Sequence, residues 1–190
     1  MADEPSLNTS ERLLLSAEQM VVEEGVHALS VRRIAGAAQA NSALIRYHFG
    51  GTDGLLRDLA LRNAARIADA RTALLAAGEG FDGAVDALVL PLWTQAAMSG
   101  DYRAIVVLDE IFSRAPQDLH GEIWALFAGG VEEVTRRLAA ALPQVDAETL
   151  RWRIRFVTAA ALDVPPRMAR DDRDARLEQF RRFAAHALRA

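Results

Sequence analysis

Apolar residues return every third or fourth position along almost the whole chain, and strictly alternating runs are missing. That spacing predicts helices throughout. Leu13, Ala17, Met20 and Val21 share one face of a first helix, capped by Ser10 and stopped by Gly25 after about Glu24. Ser30 caps a short second helix carrying Val31, Ile34, Ala35 and Ala38. After a tight break at Gln39-Ala40, Asn41 or Ser42 caps a third short helix through Tyr47. Gly50-Gly51 interrupts the chain, and Thr52 opens a long helix to about Ala77. A helix from about Phe81 to Ser99 contains Pro91, which should kink it. Another runs from Asp101 to Ser113, before Pro116. The next, from about Asp118 to Ala141, has Ile123, Phe127, Val131, Val134 and Leu138 in near-heptad spacing and ends at Pro143. Asp146 caps a helix that Pro165-Pro166 ends, and the last spans about Asp171 to Arg189. The expected fold is all-α with about nine helices. No linker-like composition appears, so a small N-terminal unit should pack directly on the rest.

At 190 residues the chain suits one domain, or a small domain fused to a larger one. Composition removes several classes of chemistry. Cys is absent, which excludes disulfides, thiol nucleophiles and Cys-ligated metals. No apolar stretch reaches the ~18 residues of a membrane span. Met1 to Ser10 is polar and acidic and lacks a signal-peptide core, so a cytoplasmic protein is expected. The formal net charge of −4 points mildly away from nucleic acid. Charge along the chain changes that picture. Residues 1–24 carry −5 and 53–150 carry −7, but from Gly25 to Thr52 there is no acid, and Arg32, Arg33 and Arg46 supply +3. A docking face needs only local positive charge to meet phosphates.

Residues 30–49 have the layout of a helix-turn-helix: a capped helix, a turn of about three residues and a second capped helix. The second helix would lie in the major groove with its N-terminal side chains at base edges. Ile34, Ala38, Ile45 and Phe49 read as core.

The wording of this stretch resembles the TetR (tetracycline-repressor-like) family of bacterial transcription regulators. The resemblance rests on Ser-Glu-Arg-Leu-Leu at 10–14, Glu-Glu-Gly at 23–25, Ser-Val-Arg-Arg-Ile-Ala at 30–35 and Ala-Leu-Ile-Arg-Tyr-His-Phe-Gly at 43–50. Asp53-Gly54-Leu55-Leu56 carries it into the fourth helix. It implies a homodimeric repressor of a palindromic operator, with a DNA-binding domain at 1–56 and an effector-binding and dimerisation domain at 57–190. Effector binding would move the two DNA-reading units apart.

Candidate DNA contacts follow. Ser30 and the amides after it would hold a phosphate, and Arg32 or Arg33 would add a charged contact. Arg33 as solvated surface is the alternative. Asn41, Ser42, Ala43 and Leu44 should face the groove, Asn41 reading adenine and the apolar pair meeting thymine methyls. Arg46 is the candidate for guanine. Tyr47 and His48 resemble the family's phosphate-contacting pair, with helix capping the alternative for His48. Two positions depart from the family pattern: Gln39 stands where the turn usually carries Gly, and Thr52 where the fourth helix usually starts with Lys.

By the same resemblance, helices from Thr52 to Ala141 form an effector chamber. Candidate lining residues are Trp93, Met98, Tyr102, Phe112, Trp124 and Phe127, with ordinary core packing as the competing reading of each aromatic. Asp109 leans toward the apolar face on a helical wheel and joins them as a polar member. Such a lining suits a hydrophobic ligand. Leu142-Pro143 with Arg151-Trp152-Arg153 resembles a subgroup that includes fatty-acid and acyl-CoA responders, although a helix stop and start give the same spacing. The last two helices should form a four-helix bundle with a second subunit through Leu150, Ile154, Val157, Ala161, Leu177, Phe180, Phe183 and Leu188.

Other signals carry less. Gly78-Glu79-Gly80-Phe81-Asp82-Gly83 spells a dinucleotide fingerprint, but a helix precedes it where a strand is needed. Glu24-Gly25-Val26-His27 is a lone half of a di-iron motif. The remaining histidines are isolated in sequence. Neither an enzyme, a cofactor nor a metal is expected. A four-helix metal bundle and a helical adaptor without DNA binding are the alternatives, and the basic island separates the regulator from both.

Overall fold

The computed structural model describes residues 7–113, 117–163 and 173–190. Its first helix, α1 (Thr9–Glu24), starts with a capping box: Asn8 Oδ1 accepts the Glu11 amide at 3.0 Å, and the Asn8 amide donates to the Glu11 carboxylate at 2.9 Å. The expected cap, Ser10, falls inside the first turn and donates its hydroxyl to Asn8 Oδ1. Gly25, at φ 85, ends α1 as expected. Ser30 caps α2 (Val31–Ala37) by accepting the Arg33 amide at 3.3 Å. The turn that follows holds Gln39 at φ 52. Then come α3 (Ala43–Phe49), closed by left-handed Gly50, and the long α4 (Thr52–Ala77).

The helix expected from Phe81 to Ser99 is shorter. Proline at 91 has no N–H to give the carbonyl of Ala87, and its ring crowds that carbonyl. So α5 spans only Gly80–Val89, a single 3-10 turn covers Leu90–Trp93, and the chain then doubles back. Ala96 donates to the Tyr102 carbonyl and Ala104 to that of Thr94, each at 2.9 Å. This hairpin occupies residues assigned above to helix, and α6 begins at Ala104 and ends at Phe112. The order closes with α7 (Gln117–Ala141), α8 (Ala147–Asp163) and α9 (Arg173–Arg189). Asp146 caps α8 as expected, Oδ1 accepting the amides of Glu148 at 3.0 Å and Thr149 at 2.9 Å. The Pro116 and Pro165-Pro166 stops and the Asp171 start lie outside the described residues. Among the described residues there are nine α-helices and no strand.

Two apolar clusters hold these helices. One joins Leu13, Val21, Ile34, Ile45, Leu55 and Leu59 of α1–α4 to Val107, Leu108 and Ile111 of α6 and Ile123 of α7. The N-terminal helices therefore share a core with α6 and α7, and the 56/57 boundary falls inside the unbroken α4. The second cluster joins α5, the end of α7, α8 and α9 through Val85, Leu88, Trp93, Leu138 and their neighbours. This cluster covers most of the apolar face expected to meet a second subunit. Leu150, Val157, Ala161, Phe180 and Leu188 are buried inside their own chain, while Ile154 and Leu177 are half-buried against the same cluster. Periodicity marks a face that is covered, but not which chain covers it. Of the eight, Phe183 is exposed, and Trp152 and Phe156 stand exposed on α8.

Candidate nucleic-acid interface and ligand cavity

Helix α3 has seven residues, about 10 Å of helix, which suits a groove about 12 Å wide. Ile45 is buried and Leu44 and Phe49 pack half-buried on the core, so the helix is fixed by one side. The other side presents Ser42, Ala43, Arg46, Tyr47 and His48. Tyr47 is 81% exposed, an unusual position for a large aromatic. Its ring meets that of His48 edge-on at 5.0 Å. Arg46 and Arg32 are exposed and enter no ion pair among the described residues. Thr52 is half-buried in the first turn of α4.

Three of the expected contact residues also have partners within the chain. Arg33 is not free: it pairs with Glu24 at 2.6 Å and donates to the Ala28 carbonyl at 3.0 Å, so it buttresses α2 against the end of α1. The hydrogen bond from Arg33 also holds the Glu24 carboxyl below its ordinary range. Asn41 Oδ1 accepts the Ala43 amide at 2.9 Å, which orients its side chain at the start of α3 and leaves its second lone pair and Nδ2 open. Leu44 is partly withdrawn into the core. Sequence reasoning passed over Gly54, whose importance is steric. A Cβ there would lie 1.8 Å from the Phe49 carbonyl oxygen, so the end of α3 rests on the first turn of α4.

A cavity of about 850 Å³ opens between α4, α5, α6, α7 and α8. Of the expected lining residues it includes Phe112, Trp124 and Phe127. Trp93 and Tyr102 are buried in the clusters and Met98 lies on the hairpin, all three outside the lining. Asp109 points the other way: α6 is covered on most sides, and Asp109 occupies its exposed strip. Arg71 is among the lining residues that sequence reasoning missed, and it is the buried charged one. It continues the apolar face of α4 through Leu59, Asn63 and Ile67, one step of four at a time.

The hairpin connects the two ends of the molecule. Glu18 of α1 is fully buried and accepts the amides of Met98 at 3.1 Å and Ser99 at 2.6 Å, together with Asn63 Nδ2 at 3.0 Å. Burial raises its pKa against the lowering effect of these donors. At the other end of the hairpin, Arg103 donates to the Ala161 carbonyl of α8 at 2.9 Å and stacks over Trp93 at 4.8 Å. Helix α1 and helix α8 are thus joined through ten residues of irregular backbone. Among the described residues no helix is long and apolar enough to cross a membrane.

Residues 13–59 match the sequence model of the bacterial regulatory proteins of the tetR family. No curated protein matches the chain significantly. Solved structures do. PfmR, a TetR family transcriptional regulator from Thermus thermophilus, superposes with a TM-score of 0.74 at 18% identity over 97% of each chain. SCO4454, a TetR-family regulator of Streptomyces coelicolor, gives 0.63 at 21% identity over 95% of this chain and 94% of its own. A TetR family protein from Vibrio parahaemolyticus gives 0.58 at 22% identity over 95% and 98%. At such identities the superpositions establish the fold. Residues 13–59 thus carry the helix-turn-helix domain of the bacterial tetR-family regulatory proteins, and the chain as a whole follows the fold of TetR-family structures.

Proposed function

We propose that the protein is a ligand-responsive repressor that binds a palindromic operator as a homodimer and leaves it when a small, mostly apolar effector fills the cavity. The observation that carries this reading is the pairing of two features on one rigid element. Helix α4, with 26 residues and thus about 39 Å long, supports α3 at its first turn and lines the cavity near its other end. An effector that displaces α4 moves Arg46, Tyr47 and His48 with it. Two such units must present α3 about 34 Å apart to read successive major grooves, so a small tilt takes both out of register. In this reading Arg46 meets a guanine edge, Tyr47, His48 and Arg32 meet phosphates, and Ser42 and Ala43 face the groove floor. The α2 start at Ser30 and the α4 start at Thr52 offer backbone amides to phosphates. Exposed Trp152, Phe156 and Phe183 support a dimer seam on α8 and α9. Such a regulator works in the cytoplasm. Selection of bound sequences from random duplexes tests the reading: recovery of a palindrome with two half-sites one helical turn apart is expected, and recovery of no duplex would refute it.

A further inference from the structure

We infer that the effector is an apolar molecule carrying one carboxylate, and that the carboxylate is held by the Arg71 guanidinium at the buried end of the cavity. This rests on the cavity being the effector site. Arg71 is 5% exposed. Its Nε donates to the Ala87 carbonyl at 3.2 Å. That carbonyl is available because Pro91, four residues on, has no N–H to offer it. The stem of Arg71 passes over Gly130 of α7, where a Cβ would stand 3.0 Å from Arg71 Cδ. The guanidinium sits 5.7 Å from the centre of the Phe127 ring. Three helices therefore each give something up to seat one cation: a helical hydrogen bond in α5, a side chain in the middle of α7, and an apolar position on α4.

Among the described residues no carboxylate pairs with Arg71, whereas Arg57 is paired with Glu122, Arg137 with Glu133 and Arg181 with Asp86. Burial lowers the Arg71 pKa to about 10, which still leaves it cationic at neutral pH. A buried cation calls for a partner, and with Nε engaged the two Nη groups remain to fork onto a carboxylate. Ile67, Leu88, Leu92, Ile105 and Ile123 supply apolar wall. Trp124, Arg151 and Arg155 lie at the exposed rim. A free acid entering head first meets Arg71 with its carboxylate and the wall with its chain. An acyl-CoA entering tail first would bring a methyl group to the cation, so the arrangement selects the acid over the thioester.

Calorimetric titration of the full-length protein with decanoate, decanol, decyl phosphate and decanoyl-CoA tests this, with Arg71→Met and Gly130→Ala beside the wild type and circular dichroism as the check on folding. The expected result is decanoate binding about tenfold or more tighter than decanol, the loss expected when a charged hydrogen-bonding pair is removed. The ratio should fall to about one in Arg71→Met and drop in Gly130→Ala, where the new methyl displaces the guanidinium. Equal binding of acid and alcohol to the wild type, a ratio that survives Arg71→Met, or no binding by decanoate would overturn the proposal. Tighter binding of decanoyl-CoA or decyl phosphate would overturn the carboxylate assignment. The same titrations repeated with operator duplex separate the two readings: acid binding through Arg71 without DNA release sinks the repressor mechanism and leaves this site standing.

Discussion

Gln39 sits at φ 52 in the turn between α2 and α3, a backbone region that costs a residue with a Cβ on the order of 1 kcal/mol. Gly36 precedes it at an ordinary helical position, so the chain has placed no glycine where the turn asks for one. Gln39→Gly should therefore stabilise the protein by about 0.5–1 kcal/mol net of its greater unfolded-state freedom. Thermal denaturation should show a rise of roughly 1–4 °C, and a fall would mean that the Gln39 side chain has a role its backbone hides. The position was marked in the sequence by resemblance alone, since Gln39 stands where the family's turn usually carries Gly. Other residues were legible in type but not in engagement. Arg33 is a cation in a basic island, yet Glu24, nine positions back, claims it. Asn41 has the right groups for adenine, and the sequence did not show that its Oδ1 also accepts the amide two residues on. In the sequence Arg71 is one charge among many on a long helix. It became informative only when Pro91, Gly130 and Phe127, far apart in sequence, were seen to converge on it.

Among the elements, the short helices at the N-terminal end follow their caps closely, since Ser30, Gly25 and Gly50 act within one turn. The stretch from 90 to 103 does not. Its apolar residues keep helical spacing, but Pro91 stops the hydrogen-bond ladder, and the hairpin beyond it is held by contacts to Glu18 that no local pattern reveals. The faces of α8 and α9 were likewise readable as apolar, while their division between own core and exposed seam depends on how α5 and α7 pack against them. The angle between α3 and α4 is set by a single missing methyl. Gly54→Ala would drive a Cβ into the Phe49 carbonyl, which must then move by more than 1 Å. Overpacking of this kind costs about 1–3 kcal/mol. The variant should keep its helical circular dichroism while losing operator affinity by at least about tenfold, read by fluorescence anisotropy, because the reading helix is re-aimed. Unchanged affinity would show that the α3–α4 angle does not govern docking.

At the scale of the whole molecule, the net charge of −4 belongs to a body that surrounds a small cationic face. Once Arg33 is paired, Arg32 and Arg46 are the cations left to that face, so each should weigh heavily in binding. Its partner copy is expected on the α8–α9 side, where Phe156 is 64% and Phe183 54% exposed and the Trp152 and Phe156 rings stack at 5.9 Å. Placing one charge in an apolar seam opposes association by several kcal/mol. Phe156→Asp should therefore yield a folded monomer by light scattering at micromolar concentration, and a dimeric mass would move the seam elsewhere. The central claim is that α3 reads duplex DNA through Arg46, and it is tested most directly by anisotropy titration of the selected palindromic duplex with wild type and Arg46→Ala across a salt series. The account predicts salt-dependent binding of one dimer per palindrome. In Arg46→Ala it predicts a loss of about 1–3 kcal/mol and reduced discrimination at one base pair in each half-site, with folding intact. Equal affinity and equal sequence preference in the two proteins would contradict it.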